Sequence, residues 1–197
     1  MHRIVKSHLE DFTKVHELED ISESERFEKF VNYSLVSPKT INIDLEAITT
    51  GPNDDGIDGV AVIINEELIS TDEDAKFIFE SNKRNHEVEI LFVQAKTSGK
   101  FDLGDFLKFK ESVKRFVEKE QNVYEDDNLK NSFSIFQIVI KNVPKLKDGK
   151  PNISTYFVTT GTLNPSNYED AGQKFEQDLD SLSYFKKISV NILTRMM

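Results

Sequence analysis

Two short segments put polar chemistry where the patterning of the chain asks for apolar side chains. Gly56-Ile57-Asp58-Gly59 stands at the start of the apolar run IDGVAVIIN (57–65), and Gln94-Ala95-Lys96 closes VEILFVQAKT (88–97), the strongest strand pattern in the sequence. Residues two apart on a strand project from one face, so Gln94 and Lys96 point the same way. A lysine on the inner part of a central strand is costly unless something negative stands opposite it. Asp58, at the end of a neighbouring hairpin, is the candidate for that negative partner. An acid, an amide oxygen and an ammonium converging on one sheet edge make a hard-metal site with a cation beside it. Mg²⁺ (or Mn²⁺) suits such a site, because it takes oxygen ligands from one or two carboxylates and completes its shell with water and substrate phosphate. A metal there polarises a phosphoryl oxygen and lowers the pKa of a bound water, while the lysine positions that water or neutralises developing charge. Each segment also has a plain structural reading: Asp58 as a turn residue between two glycines, and Gln94 with Lys96 as the solvated end of a strand.

The elements that must position these residues follow from periodicity and capping. An upstream helix over about 3–18 carries Ile4, Val5, Leu9, Phe12 and Val15. A second runs over roughly 23–36, with Ser22 as cap, Glu25 three residues on as its capping-box partner, and Phe27, Phe30, Val31 and Leu35 as its apolar stripe. INIDLEAI (41–48) alternates apolar and polar residues and predicts a half-buried strand. The turn-rich loop TTGPNDDG follows, then the strand at 57–65, paired as a hairpin with ELIS. A short helix capped near Thr71 is expected at 73–82, the central strand at 88–97, and a helix from Asp102 to about Glu120. Residues 129–143 read as a helix from Leu129, Phe133, Phe136, Ile140 and Val143, although IFQIVI alone would pass for a strand. A strand at 153–161, a helix at 167–183 and a strand at 187–193 complete the series. This alternation predicts an α/β or α+β fold, a sheet with helices on both faces.

GIDG, then a strand ending in Q-x-K, then a helix, resembles the PD-(D/E)xK nuclease superfamily in its Mrr-like form. There a glutamine replaces the usual acid, and an earlier helix supplies a glutamate from a Phe-Glu pair. Phe27-Glu28 is such a pair, and Glu28 shares a helix face with Val31 and Leu35, so it borders the buried stripe. FEKFVNYSLVS, DDGIDGVAVIINEELI, ILFVQAKTSGKFDLGDFLKF and YFVTTG together resemble the amino-terminal part of the AIPR family, the abortive-infection phage-resistance proteins, over about 25–165. The resemblance implies a restriction-endonuclease-like mixed central sheet. It implies Asp58, Gln94, Lys96 and Glu28 as catalytic residues, with Asp58, Gln94 and Glu28 on the metal. The activity it implies is metal-dependent endonuclease cleavage of nucleic acid, DNA before RNA, in prokaryotic antiviral defence. Members of that family run to several hundred residues, so it also implies the amino-terminal part of a longer protein. Lys100 and Ser98 follow the lysine toward the next helix and are the candidate nucleic-acid contacts, with backbone N–H groups at that helix start as a phosphate site. Asp55 is a candidate supporting partner of the site, and Asp54 reads as a loop acid. A non-cleaving nucleic-acid-binding or assembly module on the same fold is the alternative.

Bulk properties set the outer bounds. The 197 residues suit one domain, with residues 1–20 as an amino-terminal helical extension. There is no cysteine, which removes disulfides, thiolate metal sites and thiol nucleophiles and favours a cytoplasmic setting. No run is apolar enough for a signal peptide or a membrane span. A small-molecule hydrolase or transferase finds no nucleophile elbow, phosphate-cradling glycine loop or histidine triad here. The four histidines show no ligand spacing, and fifteen phenylalanines without a tryptophan read as core filling, not as a stacking platform for bases. The net charge of −10 opposes approach to a polyanion. It is unevenly spread, however: positions 50–80 are acid-rich and 83–115 carry many lysines and arginines, the pattern of an acidic pocket beside a basic groove or of ordinary solvated faces. A homodimer is the assembly considered.

Overall fold

A computed structural model describes residues 1–51, 56–162 and 169–194. Its centre is a five-stranded mixed sheet in the order β2-β1-β3-β4-β5, comprising β1 (Gly59–Ile64), β2 (Glu67–Leu68), β3 (Val88–Lys96), β4 (Asn152–Thr159) and β5 (Ile188–Leu193). β1 and β2 form the expected hairpin, turning through Asn65 and Glu66, both at positive φ (53° and 66°), the backbone signature of a tight two-residue turn. β3 pairs antiparallel with β1 and parallel with β4, and β4 is parallel to β5. β3 is therefore central, which accounts for its near-continuous apolar sequence.

The helices are α1 (Arg3–Val15), α2 (Glu23–Val36), α3 (Leu45–Ile48), α4 (Asp72–Glu80), α5 (Leu103–Glu118), α6 (Asp127–Lys141) and α7 (Glu169–Ser181). They cover both faces of the sheet, as the alternation of elements predicts. On one face Val60, Val62, Ile90, Phe92, Ile153 and Phe157 pack against α5, α6 and α7. Phenylalanine fills that layer: the Phe92 and Phe116 rings meet edge to face at 5.0 Å, and Phe106 meets Phe157 at 5.5 Å. On the other face α2 lays Phe27 and Val31 over Val93 and Ala95, with Leu9 of α1 in the same cluster. The amino-terminal helix is thus docked on α2. Among the described residues no helix is long and apolar enough to cross a membrane.

Local signals explain most boundaries. Ser22 accepts the Glu25 N–H while the Glu25 carboxylate accepts the Ser22 N–H, a complete capping box. The side chains of Asp102 and Asp126 cap α5 and α6 by accepting N–H groups of the first turn, without the reciprocal bond. Residues 129–141 are helical, since α6 buries Leu129, Phe133 and Phe136 along one stripe, and the helix ends before Val143. One expectation is corrected. Residues 41–48 are not a strand: 41–44 are irregular and 45–48 make a single helical turn, with Asp44 Oδ1 accepting the Ala47 N–H at 3.1 Å. The alternating apolar residues did not mark a sheet face, for Ile41 is 76% exposed while Ile48 is buried.

The basic stretch at 83–115 is divided by the fold. Lys83 and Arg84 precede β3, at the end remote from Lys96. Lys110, nearly buried, meets Asp178 of α7 at 2.6 Å with Lys114 at 3.9 Å from the same oxygen, and the hydrogen bond from Lys110 holds the Asp178 carboxyl below its ordinary pKa. These two lysines tie helices together and do not line a groove. Asp72, Glu73 and Asp74 make the first turn of α4, where acids complement the helix dipole.

Candidate active site at the end of the central strand

Because β1 runs antiparallel to β3, the beginning of one lies beside the end of the other. Gly59 is opposite Val93 and Val60 opposite Phe92, so Asp58, one step before β1, comes to the end of β3. Residues two apart on a strand share a face. Gln94 and Lys96 therefore continue the row of Ile90 and Phe92 on the α5 side, and the Asp58 carboxylate lies beside Ala95 and Lys96. The sequence places these groups 36 and 38 residues apart; the strand pairing is what unites them.

Asp58 is buried, 3% exposed, and its Oδ2 accepts the Ala95 N–H at 2.7 Å. The Asp58 N–H in turn donates to the Val93 carbonyl at 2.8 Å. Lys96 Nζ lies 3.9 Å from Asp58 Oδ2, beyond hydrogen-bond length but within Coulombic reach. The Lys96 side chain is 31% exposed, so its ammonium borders both the buried acid and solvent. Gln94 is 2% exposed, and its side-chain oxygen is buried without a hydrogen-bond partner among the described residues. Such an acceptor is costly to leave unmade. A hard cation at Gln94 Oε1 and the carboxylate of Asp58 would satisfy it. The donor chemistry fits Mg²⁺ held by few protein oxygens and completed by water and phosphate. Among the described residues no three or more histidine, aspartate and glutamate side chains gather as a metal cluster.

The two glycines of the motif have separate reasons. Gly56 sits at φ +85°, where a side chain is strained. Gly59 has no room for one: a Cβ would lie 2.3 Å from Asn32 Oδ1. Asn32, buried on α2, donates to the Asp58 carbonyl at 2.9 Å and to Thr49 Oγ1 at 3.2 Å, fixing the chain where β1 begins. Thr50 adds a hydrogen bond to the Ile57 carbonyl. Asn32 has no signal in the sequence beyond being a polar residue next to the apolar Val31 on the buried side of an amphipathic helix.

Glu28 is one turn before Asn32, on the helix covering the opposite face of the sheet. It accepts from Ser24 Oγ at 3.2 Å and lines a cavity of about 320 Å³ with Glu25, Glu46, Thr50, Gly51 and Asp126. The three strand residues are brought together; Glu28 is half-buried in a cavity whose lining includes none of them, with the solvent-facing Glu25 occupied in its capping box. Ser98 and Lys100 are exposed on the loop leaving β3. Ser98 Oγ is turned back on the Lys100 carbonyl at 2.9 Å, and that loop is pinned to the end of β4 by the Thr160 hydroxyl and a close approach to Gly161. The start of α5 is not an open phosphate site, because Asp102 Oδ1 takes the N–H groups of Gly104 and Asp105. Asp54 and Asp55 lie outside the described residues.

No protein-family model, curated protein or solved structure matches this chain.

Proposed function

We propose that the chain is a Mg²⁺- or Mn²⁺-dependent nuclease domain of the PD-(D/E)xK type, hydrolysing phosphodiester bonds in nucleic acid, DNA before RNA. A cytoplasmic role in prokaryotic antiviral defence is proposed with it, on the resemblance to the AIPR family. The observation that carries the reading is the Asp58 carboxylate beside Lys96 at the end of β3, with the oxygen of Gln94, on the same strand, buried and unpartnered among the described residues.

In this reading Asp58 and Gln94 hold the metal, and Glu28 is assigned with them on resemblance alone. The metal, when bound, supplies Lewis-acid polarisation of a phosphoryl oxygen and a water of lowered pKa. The chain's own groups do the rest. Lys96 offers a fixed positive charge at the mouth, where negative charge grows on the phosphate during displacement. Asn32 and the Ala95 N–H hold Asp58 from its backbone and side-chain ends, so its carboxylate is preorganised.

A non-cleaving nucleic-acid-binding module is the second reading, and one observation favours it. Asp58 already binds a backbone N–H and neighbours a lysine, which a purely structural acid would also do. The test is Mn²⁺-dependent nicking of plasmid and single-stranded substrates at low salt, where an acidic protein binds best. Lys96→Ala is expected to slow cleavage by about 10²–10³-fold, and Asp58→Asn at least as much, with loss of Mn²⁺ binding by titration. Cleavage by the wild-type chain that both variants match refutes this site; metal-independent binding without cleavage selects the module.

A further inference from the structure

We infer that Lys108 grips the phosphodiester backbone of the substrate at the mouth of this site, an inference resting on the nuclease reading above. Asp102 fixes where α5 begins, and the burial of Phe106, Phe109 and Val113 fixes its rotation. Residue 108 then falls on the exposed flank of the helix, above the start of β1. The position a Cβ of Gly56 would take lies 3.2 Å from Lys108 Cε, 3.3 Å from its Cδ and 3.4 Å from Gln94 Nε2. The lysine stem thus lies across Gly56, two residues before Asp58, and next to the amide of Gln94. A stem packed on the chain with its ammonium left to solvent is a snorkelling lysine, held in place by its carbon atoms.

What that ammonium faces follows from its charge. It has no lone pair, so it is not a metal ligand. Lys110, two residues on, is neutralised by Asp178, and Lys29 and Lys39 by Glu46 and Glu89. Among the described residues Lys108 has no carboxylate partner. A chain of net charge −10 can hold a polyanion only through local positive charge. Lys96 supplies it beside Asp58, and Lys108 supplies it beside Gly56. The ligand recognised is the phosphodiester group, which DNA and RNA share.

The test measures binding without turnover. Fluorescent single-stranded DNA, duplex DNA and single-stranded RNA are titrated with the full chain in Ca²⁺, and Mn²⁺ affinity is measured in parallel. Lys108→Ala is expected to weaken binding of whichever nucleic acid the wild type prefers by about tenfold, the loss of one charge-assisted contact. It should also reduce the slope of log affinity against log salt by about one. Mn²⁺ affinity should stay unchanged, Lys108→Arg should restore binding, and Lys83→Ala, at the remote end of β3, should do nothing. A wild-type chain that binds and cuts while Lys108→Ala binds with equal affinity and equal salt slope overturns this inference and leaves the nuclease reading intact. A wild-type chain that takes up neither metal nor nucleic acid overturns both.

Discussion

Gly59→Ala is the most informative single change, because its cost follows from the distances around it. The added methyl would meet Asn32 Oδ1 at 2.3 Å, Nδ2 at 2.6 Å and Cγ at 2.7 Å. Asn32 is 1% exposed, so its amide has nowhere to retreat without breaking its bonds to the Asp58 carbonyl and Thr49 Oγ1. Two hydrogen bonds contribute about 1 kcal/mol each, and overpacking a tight site adds about 1–3 kcal/mol. The expected destabilisation is about 3–5 kcal/mol, which lowers Tm by roughly 6–20 °C in a chain of this size. Asn32→Ala should cost less, about 1–2 kcal/mol, since it removes the same two bonds together with a buried acceptor, Oδ1, that has no partner among the described residues. The decisive measurement is the double variant in urea denaturation. With alanine at 32 the methyl at 59 has space, so the pair should cost about 2–3 kcal/mol, well short of additivity. Free energies that add to within about 0.5 kcal/mol would mean that the two side-chain positions do not compete, and the account of Gly59 would be wrong.

Two further changes probe the body of the fold. Asp178→Asn should destabilise by about 1–3 kcal/mol at neutral pH, because it leaves the ammonium of Lys110 buried without its counter-charge. The folded-state pKa of Asp178 is depressed, so its contribution is present above the ordinary aspartate value of 3.8 and fades as pH falls through the lower folded value. Denaturation curves of wild type and variant should converge in that acid range, and a constant gap down to strongly acid pH would contradict the pairing. Phe116→Ala removes a ring that contacts Phe92, Phe133, Phe136 and Tyr124, and should cost about 3–5 kcal/mol by urea midpoint. A loss under about 1 kcal/mol would show that this layer is loosely packed.

How far the sequence reveals these features depends on the range of the interaction behind each. Capping is local, so Ser22 with Glu25 and the cap near Thr71 were readable, and the helices they start were found where expected. The polar Gln94 and Lys96 on an apolar strand were readable because they break a pattern. INIDLEAI misled because alternation says which residues share a face and not whether a partner strand exists; without one, the cap at Asp44 wins and a helical turn forms. Asn32 against Gly59, Lys108 against Gly56 and Lys110 with Asp178 were not legible. Each depends on how a helix crosses the sheet or another helix, which no window of neighbouring residues encodes.

The bond from the Ala95 N–H to Asp58 Oδ2 carries a last consequence. Where the β1–β3 ladder runs out of main-chain acceptors, a side chain furnishes the next rung, so one carboxylate belongs to both the hydrogen-bonded sheet and the proposed metal site. The Ala95 amide is thereby a native spectroscopic probe: its NMR shift and its exchange with deuterium register whatever happens to that carboxylate. The same sharing shapes which replacements are informative at position 58. Alanine erases rung and charge at once, whereas asparagine retains an oxygen for Ala95 and subtracts only the charge, separating architecture from reactivity at a single atom.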